Sequence, residues 1–204
     1  MKRIFTKPPG QFVILFIPTP FVVLSVLFCF FLILESCAPG RPRLVYPLSD
    51  RTAVSTDGHL RLRVPDGWFV PEDGETSPGL LIWLVKEDYS ATMGLLEIRA
   101  DERLRKEVKA AGLEVLAQLS LSLRQGREST AKLLRPPEVF RLNRRNFCSY
   151  EYTSDDGATT VRTVVFDTGK RFYELTAIPN ARKPPLAIRP IFNAQQAILQ
   201  TMEW

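Results

Sequence analysis

One histidine, three cysteines and the carboxylate pairs Glu72-Asp73 and Asp155-Asp156 are side chains of this 204-residue chain whose types suggest chemistry. A metal centre needs several His, Cys or carboxylate ligands converging. His59 stands alone at the start of an alternating run and reads as a solvated strand end. A histidine-based triad also needs a nucleophile and an orienting acid, and no Gly-x-Ser-x-Gly elbow supplies that context. No Gly-x-Gly-x-x-Gly or P-loop spacing supports a nucleotide site. The pairs Glu72-Asp73 and Asp155-Asp156 fall in turn-like stretches, where they serve backbone geometry rather than acid–base catalysis. The expectation is a protein that is not an enzyme and carries neither cofactor nor metal.

The cysteines speak to address instead. Cys29 lies inside an apolar run, Cys37 follows it, and Cys148 sits far downstream as a small buried apolar residue. At most one pair, Cys37 with Cys148, is left for a disulfide, which is no disulfide framework. Residues 12–34 number 23, enough at 1.5 Å per residue to cross a hydrocarbon core of about 30 Å. Pro18 and Pro20 interrupt that run, however, and leave the 14 residues "FVVLSVLFCFFLIL", Phe21 to Leu34, uninterrupted. This is the length of a signal-peptide apolar region, and Lys2, Arg3 and Lys7 precede it as such a region requires.

The run ends in Leu34-Glu35-Ser36-Cys37, which resembles the lipobox of bacterial lipoproteins. That resemblance implies cleavage after Ser36 and diacylation of Cys37, while Glu35 departs from the small or apolar residue usual at its position. A retained N-terminal helix and ordinary secretion are the competing readings. In the first two, positive charge keeps the N-terminus in the cytoplasm and the domain is delivered outside. Two acyl chains give stable anchoring where one is marginal. The expected organisation is a signal peptide over 1–36, an extended proline-rich tether over 37–54 and one domain over 55–204.

Charge narrows the partners. The chain carries 27 Lys and Arg against 22 Asp and Glu, and removing residues 1–36 leaves 24 against 21, a net +3. Nucleic-acid binding needs a concentrated basic face and is not expected. Arg141, Arg144 and Arg145 can meet Lys170 and Arg171 at neighbouring hairpin ends, as a surface for anionic headgroups or a partner, or simply as solvated turns. Trp83 on a central strand is expected in the core. Trp68, after a turn, and Trp204, at the chain end, are candidates for a partner surface as well as for packing.

The elements that position these residues follow from periodicity. "HLRLRV" alternates, with Leu60, Leu62 and Val64 on one face, and stops at a Pro-Asp-Gly turn. "LLIWLV", Leu80 to Val85, reads as a central strand, and "MGLLEIRA" pairs with it across a turn near Tyr89 and Ser90. Leu104, Val108, Ala111, Val115, Leu119 and Ser122 then recur at helical steps, predicting one long helix from an N-cap at Asp101 to a C-cap at Gly126. After "RPPEVFRL" come three or four antiparallel strands, including "FCSYEYTS", "TTVRTVVFD" and "RFYELTAIP", and a last helix with Pro190 in its first turn. Strand groups with helices packed on them indicate an α+β fold.

The strand ending in Pro65-Asp66-Gly67-Trp68, the long middle helix, the meander closing in "YELTAIP" and the last helix "FNAQQAILQTM" together resemble the PsbP-like proteins over residues 55–204. The resemblance implies an antiparallel sheet sandwiched by helices and a non-enzymatic accessory or binding role, and it brings no catalytic residue with it. The function expected is an exported, lipid-anchored binding or assembly module on the periplasmic or extracellular face of a bacterial membrane, with a protein partner in the envelope. The alternative is a carrier or sensor of a small apolar ligand, which needs an enclosed pocket between sheet and helix. Filling of that space by Leu104, Val108, Val115 and Leu119 separates the two.

Overall fold

Alternating apolar residues place β2, Arg61–Pro65, with Leu62 and Val64 inward, and its partner β1, Leu48–Val54, lies antiparallel beside it. The computed structural model describes residues 46–72, 79–127, 130–154, 157–180 and 188–204. All of them belong to one unit, 42–204. The expected signal peptide, the lipobox with Cys37 and the first part of the tether lie outside the described residues. β1 occupies the stretch of the expected tether nearest the domain. It is extended there because its backbone pairs with β2, and the Ser49 hydroxyl also donates to the Val64 carbonyl at 2.8 Å.

The remaining strands form one antiparallel sheet of seven. They are β3 Trp68–Phe69, β4 Leu80–Lys86, β5 Ala91–Ile98, β6 Lys132–Leu142, β7 Arg145–Ser154, β8 Thr159–Asp167 and β9 Phe172–Pro179, in the order β3-β4-β5-β9-β8-β7-β6. Helices α1, Glu102–Ala111, and α2, Leu113–Arg127, connect β5 to β6, and α3, Ile188–Thr201, follows β9. The expected α+β class and the sheet between helices are both present.

Strand alternation sends side chains to two separate cores. On one face Met93, Leu95, Val164, Phe166, Tyr173, Leu175 and Ala177 pack with Leu60, Leu62, Trp68 and the Ile191, Ala194 and Ile198 stripe of α3. On the other, Cys148, Tyr150, Tyr152, Val161, Val165 and Phe172 pack with Val108, Leu113, Leu116, Ala117 and Leu121. Trp68 is thus core. Helix α2 lies over β6, β7 and β8.

The middle helix is two helices. Asp101 is the N-cap as expected, its carboxylate accepting from the Leu104 N–H at 2.8 Å. At Gly112, however, φ is 92° and ψ is −176°, a conformation that side chains disfavour, so the first helix ends there with the Gly112 N–H on the Val108 carbonyl. The break resets the helical phase. Leu113, Leu116, Ala117, Ser120 and Leu121 are buried, Val115 and Leu119 are half-buried, and Ala111 and Ser122 face solvent. Gly126 is no C-cap, because α2 runs on to Arg127.

"RPPEVFRL" belongs to β6, the edge strand beyond β7. Pro136 and Pro137 are tolerated because an edge strand has one side with no ladder to serve, and the register shifts around them between Leu133 and Glu138. The following turn holds Asn143 and Arg144 at φ of 47° and 65°, the two-residue geometry that matches strand twist.

Trp83 is not a core residue. β4 is next to the short edge strand β3, and the face on which Trp83 pairs with Gly94 extends past the strands that α2 covers, leaving the indole 36% exposed.

Candidate functional site

Glu174 on β9 shares its strand face with Phe172 and Thr176 and is buried beneath α2. A carboxylate there requires partners, since burying an unpaired charge costs several kcal/mol. Ser120 and Arg124, one helical turn apart on α2, supply them. Arg124 Nη2 donates to Glu174 Oε1 at 2.5 Å, and Ser120 Oγ donates to Oε2 at 2.5 Å. With its hydroxyl hydrogen spent, Ser120 must accept from the Tyr150 hydroxyl 2.8 Å away. The resulting relay, Tyr150 to Ser120 to Glu174, pins α2 to β7 and β9.

The electrostatics match a lock rather than a reactive centre. Burial works against the Arg124 charge, but the Glu174 carboxylate outweighs it and holds the guanidinium above its ordinary value. Burial, with the Glu174 charge adding to it, raises the Tyr150 phenol, which therefore stays protonated. Ser120 is committed as both donor, to the Glu174 carboxylate, and acceptor, from Tyr150. Among the described residues, no three His, Cys, Asp or Glu side chains converge as metal ligands.

Beside this lock a groove of about 430 Å³ opens between α2 and β5, lined among others by Leu96, Leu119, Leu123, Arg99, Arg124 and Arg127. A larger groove, about 850 Å³, lies at the α1–α2 break and includes Arg105, Lys109, Arg145 and Trp204. The space beneath the two helices is filled. Val108, Leu113, Leu116 and Leu121 occupy it, with Leu104 packed against them; of the four residues expected to fill it, Val115 and Leu119 are half-buried and stand outside this cluster.

The residues of the expected basic cluster make separate contacts. The Arg145 guanidinium lies 3.7 Å above the Trp204 ring and donates to the Met202 carbonyl, fastening the chain end. Trp204 also stacks on Phe166, their ring centroids 5.5 Å apart. Arg171 turns to Asp57 at 2.8 Å and Glu97 at 3.3 Å, so its charge is taken up within the fold. Arg141, Arg144 and Lys170 are exposed, and the Lys170 carbonyl accepts from Arg105 at 2.8 Å. His59 is exposed at the entrance to β2. Glu72 is described, whereas Asp73, Asp155 and Asp156 lie outside the described residues.

The Tyr150–Ser120–Glu174–Arg124 network was missed from sequence because its hydrogen bonds join residues 30 to 54 positions apart. One signal was available. Glu174 is the one charged residue of the strand stretch "FYELTAI", and such a carboxylate has to be paired.

Cys148 is a free, buried cysteine, as the sequence suggested. Burial, with the Glu114 and Glu138 charges adding to it, pushes its thiol up to about 12.

No family model matches the chain, and no curated protein does. Solved structures do. The solution structure of cyanobacterial PsbP, CyanoP, from Synechocystis is 11% identical, with a TM-score of 0.52, covering 81% of this chain and 98% of that one. The Ran-binding protein Mog1p of Saccharomyces cerevisiae is 10% identical, with a TM-score of 0.44 and coverages of 76% and 95%. A protein of Bacteroides thetaiotaomicron is 14% identical at a TM-score of 0.34, covering 75% of this chain and 47% of that one. The first likeness shows a PsbP-like fold; the other two are too distant to carry an argument.

Proposed function

We propose that the chain is a non-catalytic binding or assembly module of a bacterial cell envelope, exported and moored by acyl chains on Cys37. Its domain docks a protein partner through the exposed patch formed by Trp83 on β4 and Ile178 on β9. The observation that carries the docking is the Trp83–Ile178 surface. Trp83, Gly94 and Thr176 lie in one cross-strand row of that face and Val85, Thr92 and Ile178 in the next, with no charged residue in either. Trp83 is 36% and Ile178 39% exposed. Exposed aromatic and aliphatic side chains without charge are the composition of interface centres.

The filled space beneath α1 and α2 supports this reading over an enclosed carrier of a small apolar ligand. The exposed Arg141, Arg144 and Lys170 are available to anionic headgroups or to the partner's rim. No helix among the described residues is long and apolar enough to cross a membrane. The proposed anchor rests on the lipobox-like Leu34-Glu35-Ser36-Cys37.

Two measurements test the two halves. Intact-mass analysis of the membrane-bound protein should give a diacylated chain beginning at Cys37, and an unmodified chain of residues 1–204 overturns the anchor. A Trp83→Glu, Ile178→Glu variant should stay membrane-bound and folded yet lose its complex on native gels of solubilised membranes. An unchanged complex overturns the docking face.

A further inference from the structure

We infer that the groove between α2 and β5 binds a single-chain amphiphile with an anionic head. Its volume of about 430 Å³ falls in the range of small-ligand clefts. Leu96, Ile98, Leu119 and Leu123 give it apolar walls, and Leu123 is 53% exposed despite its size. Arg99, just past β5, and Arg127, the last residue of α2, bring two guanidinium groups to the lining.

Charge accounting selects the head group. Of the other ionic side chains of the lining, Arg124 pairs with Glu174, and Glu97 shares Arg171 with Asp57. Neither Arg99 nor Arg127 has an ion-pair partner among the described residues. The described lining thus carries three guanidinium groups against the two carboxylates of Glu97 and Glu174, an excess of one positive charge beside leucine side chains. The end of α2 contributes only about half a negative charge against it. Guanidinium groups bind carboxylates and phosphates through paired N–H donors, and the leucines take the alkyl chain. The inference concerns a separate site and stands whether or not Cys37 is acylated or the Trp83 face docks a protein.

The test uses the full chain in nanodiscs of zwitterionic phosphatidylcholine, with leucine methyl groups isotopically labelled and observed by NMR. Monomeric dodecyl phosphate should shift the Leu96, Leu119 and Leu123 methyl signals saturably. Arg99→Gln with Arg127→Gln should raise the dissociation constant at least tenfold, as should Leu123→Glu, while other methyl signals stay in place and report an intact fold. Dodecanol and inorganic phosphate should each bind at least tenfold more weakly than dodecyl phosphate.

Four results overturn the inference. They are absence of saturable shifts, unchanged affinity in the arginine variant, equal binding of inorganic phosphate, or shifts produced only by nanodiscs enriched in phosphatidylglycerol. The last assigns the surface to a bilayer rather than to a free amphiphile.

Discussion

Arg124 Nη2 and Glu174 Oε1 lie 2.5 Å apart across 50 positions of sequence, with side chains only 20% and 10% exposed. Together with the Ser120 hydrogen bonds to Tyr150 and Glu174, the pair is the polar fastening of α2 on a sheet face otherwise held by apolar packing. Removing one partner leaves the other charge buried. Glu174→Gln should therefore destabilise the domain by about 3 kcal/mol. Combining it with Arg124→Met should recover more than half of that loss, as read by denaturant unfolding. Equal stability of Glu174→Gln and wild type would show that the pair is solvated and not a fastening.

The two glycines of the α1–α2 region should respond oppositely to alanine. Gly112 has φ of 92°, and an added Cβ would sit 2.8 Å from Glu114 Oε2, a flexible tip that can move, so the cost is backbone strain. Gly112→Ala should lower stability by about 1–2 kcal/mol. Gly126 is inside α2 with nothing within 4 Å of an added Cβ, and Gly126→Ala should raise stability by about 0.5–1 kcal/mol. Thermal unfolding of both variants checks the sign of each change.

Asp57 provides a pH signature. Burial opposes its ionisation, but the Ser55 hydroxyl, the His59 N–H and the Arg171 charge together hold its carboxyl below the ordinary 3.8. A carboxyl lowered by folding stabilises the native state above its unfolded value and loses that contribution as pH falls through the folded value. The unfolding midpoint should thus decline from about pH 4 downward, and less steeply in Asp57→Asn. Parallel profiles for the two proteins would remove Asp57 from the account.

Cys148 should be inert in the folded protein. Alkylation requires the thiolate, and burial pushes this thiol up to about 12. Iodoacetamide at about pH 8 should leave the Cys148 peptide unmodified in native membranes and modify it fully in denaturant. Mass spectrometry of that peptide distinguishes the two.

The parts of the fold legible in the sequence are those governed by local periodicity. Leu60, just before β2, and Leu62 and Val64 on it, Cys148, Tyr150 and Tyr152 on β7, and the Ile191, Ala194 and Ile198 stripe of α3 are buried on the faces their spacing indicates. What stayed hidden depends on neighbours. Pro136 and Pro137 argue against a strand unless that strand is known to be an edge, and Trp83 looks like core until α2 is seen to stop short of it. The helix break at Gly112 was local but masked, because Leu113 and Leu116 continue an apolar pattern with its phase shifted. Of the candidate site, the grouping of Ser120, Tyr150 and Glu174 arises only from strand register. Arg99 and Arg127 came together only once α2 was laid against β5.

A photo-crosslinking residue in place of Trp83, activated in intact cells, most directly tests whether this is a docking module. The account predicts one discrete adduct with an envelope protein, absent when the probe replaces Lys106 on the solvent side of α1. No adduct at position 83, or the same adducts from both positions, would contradict it.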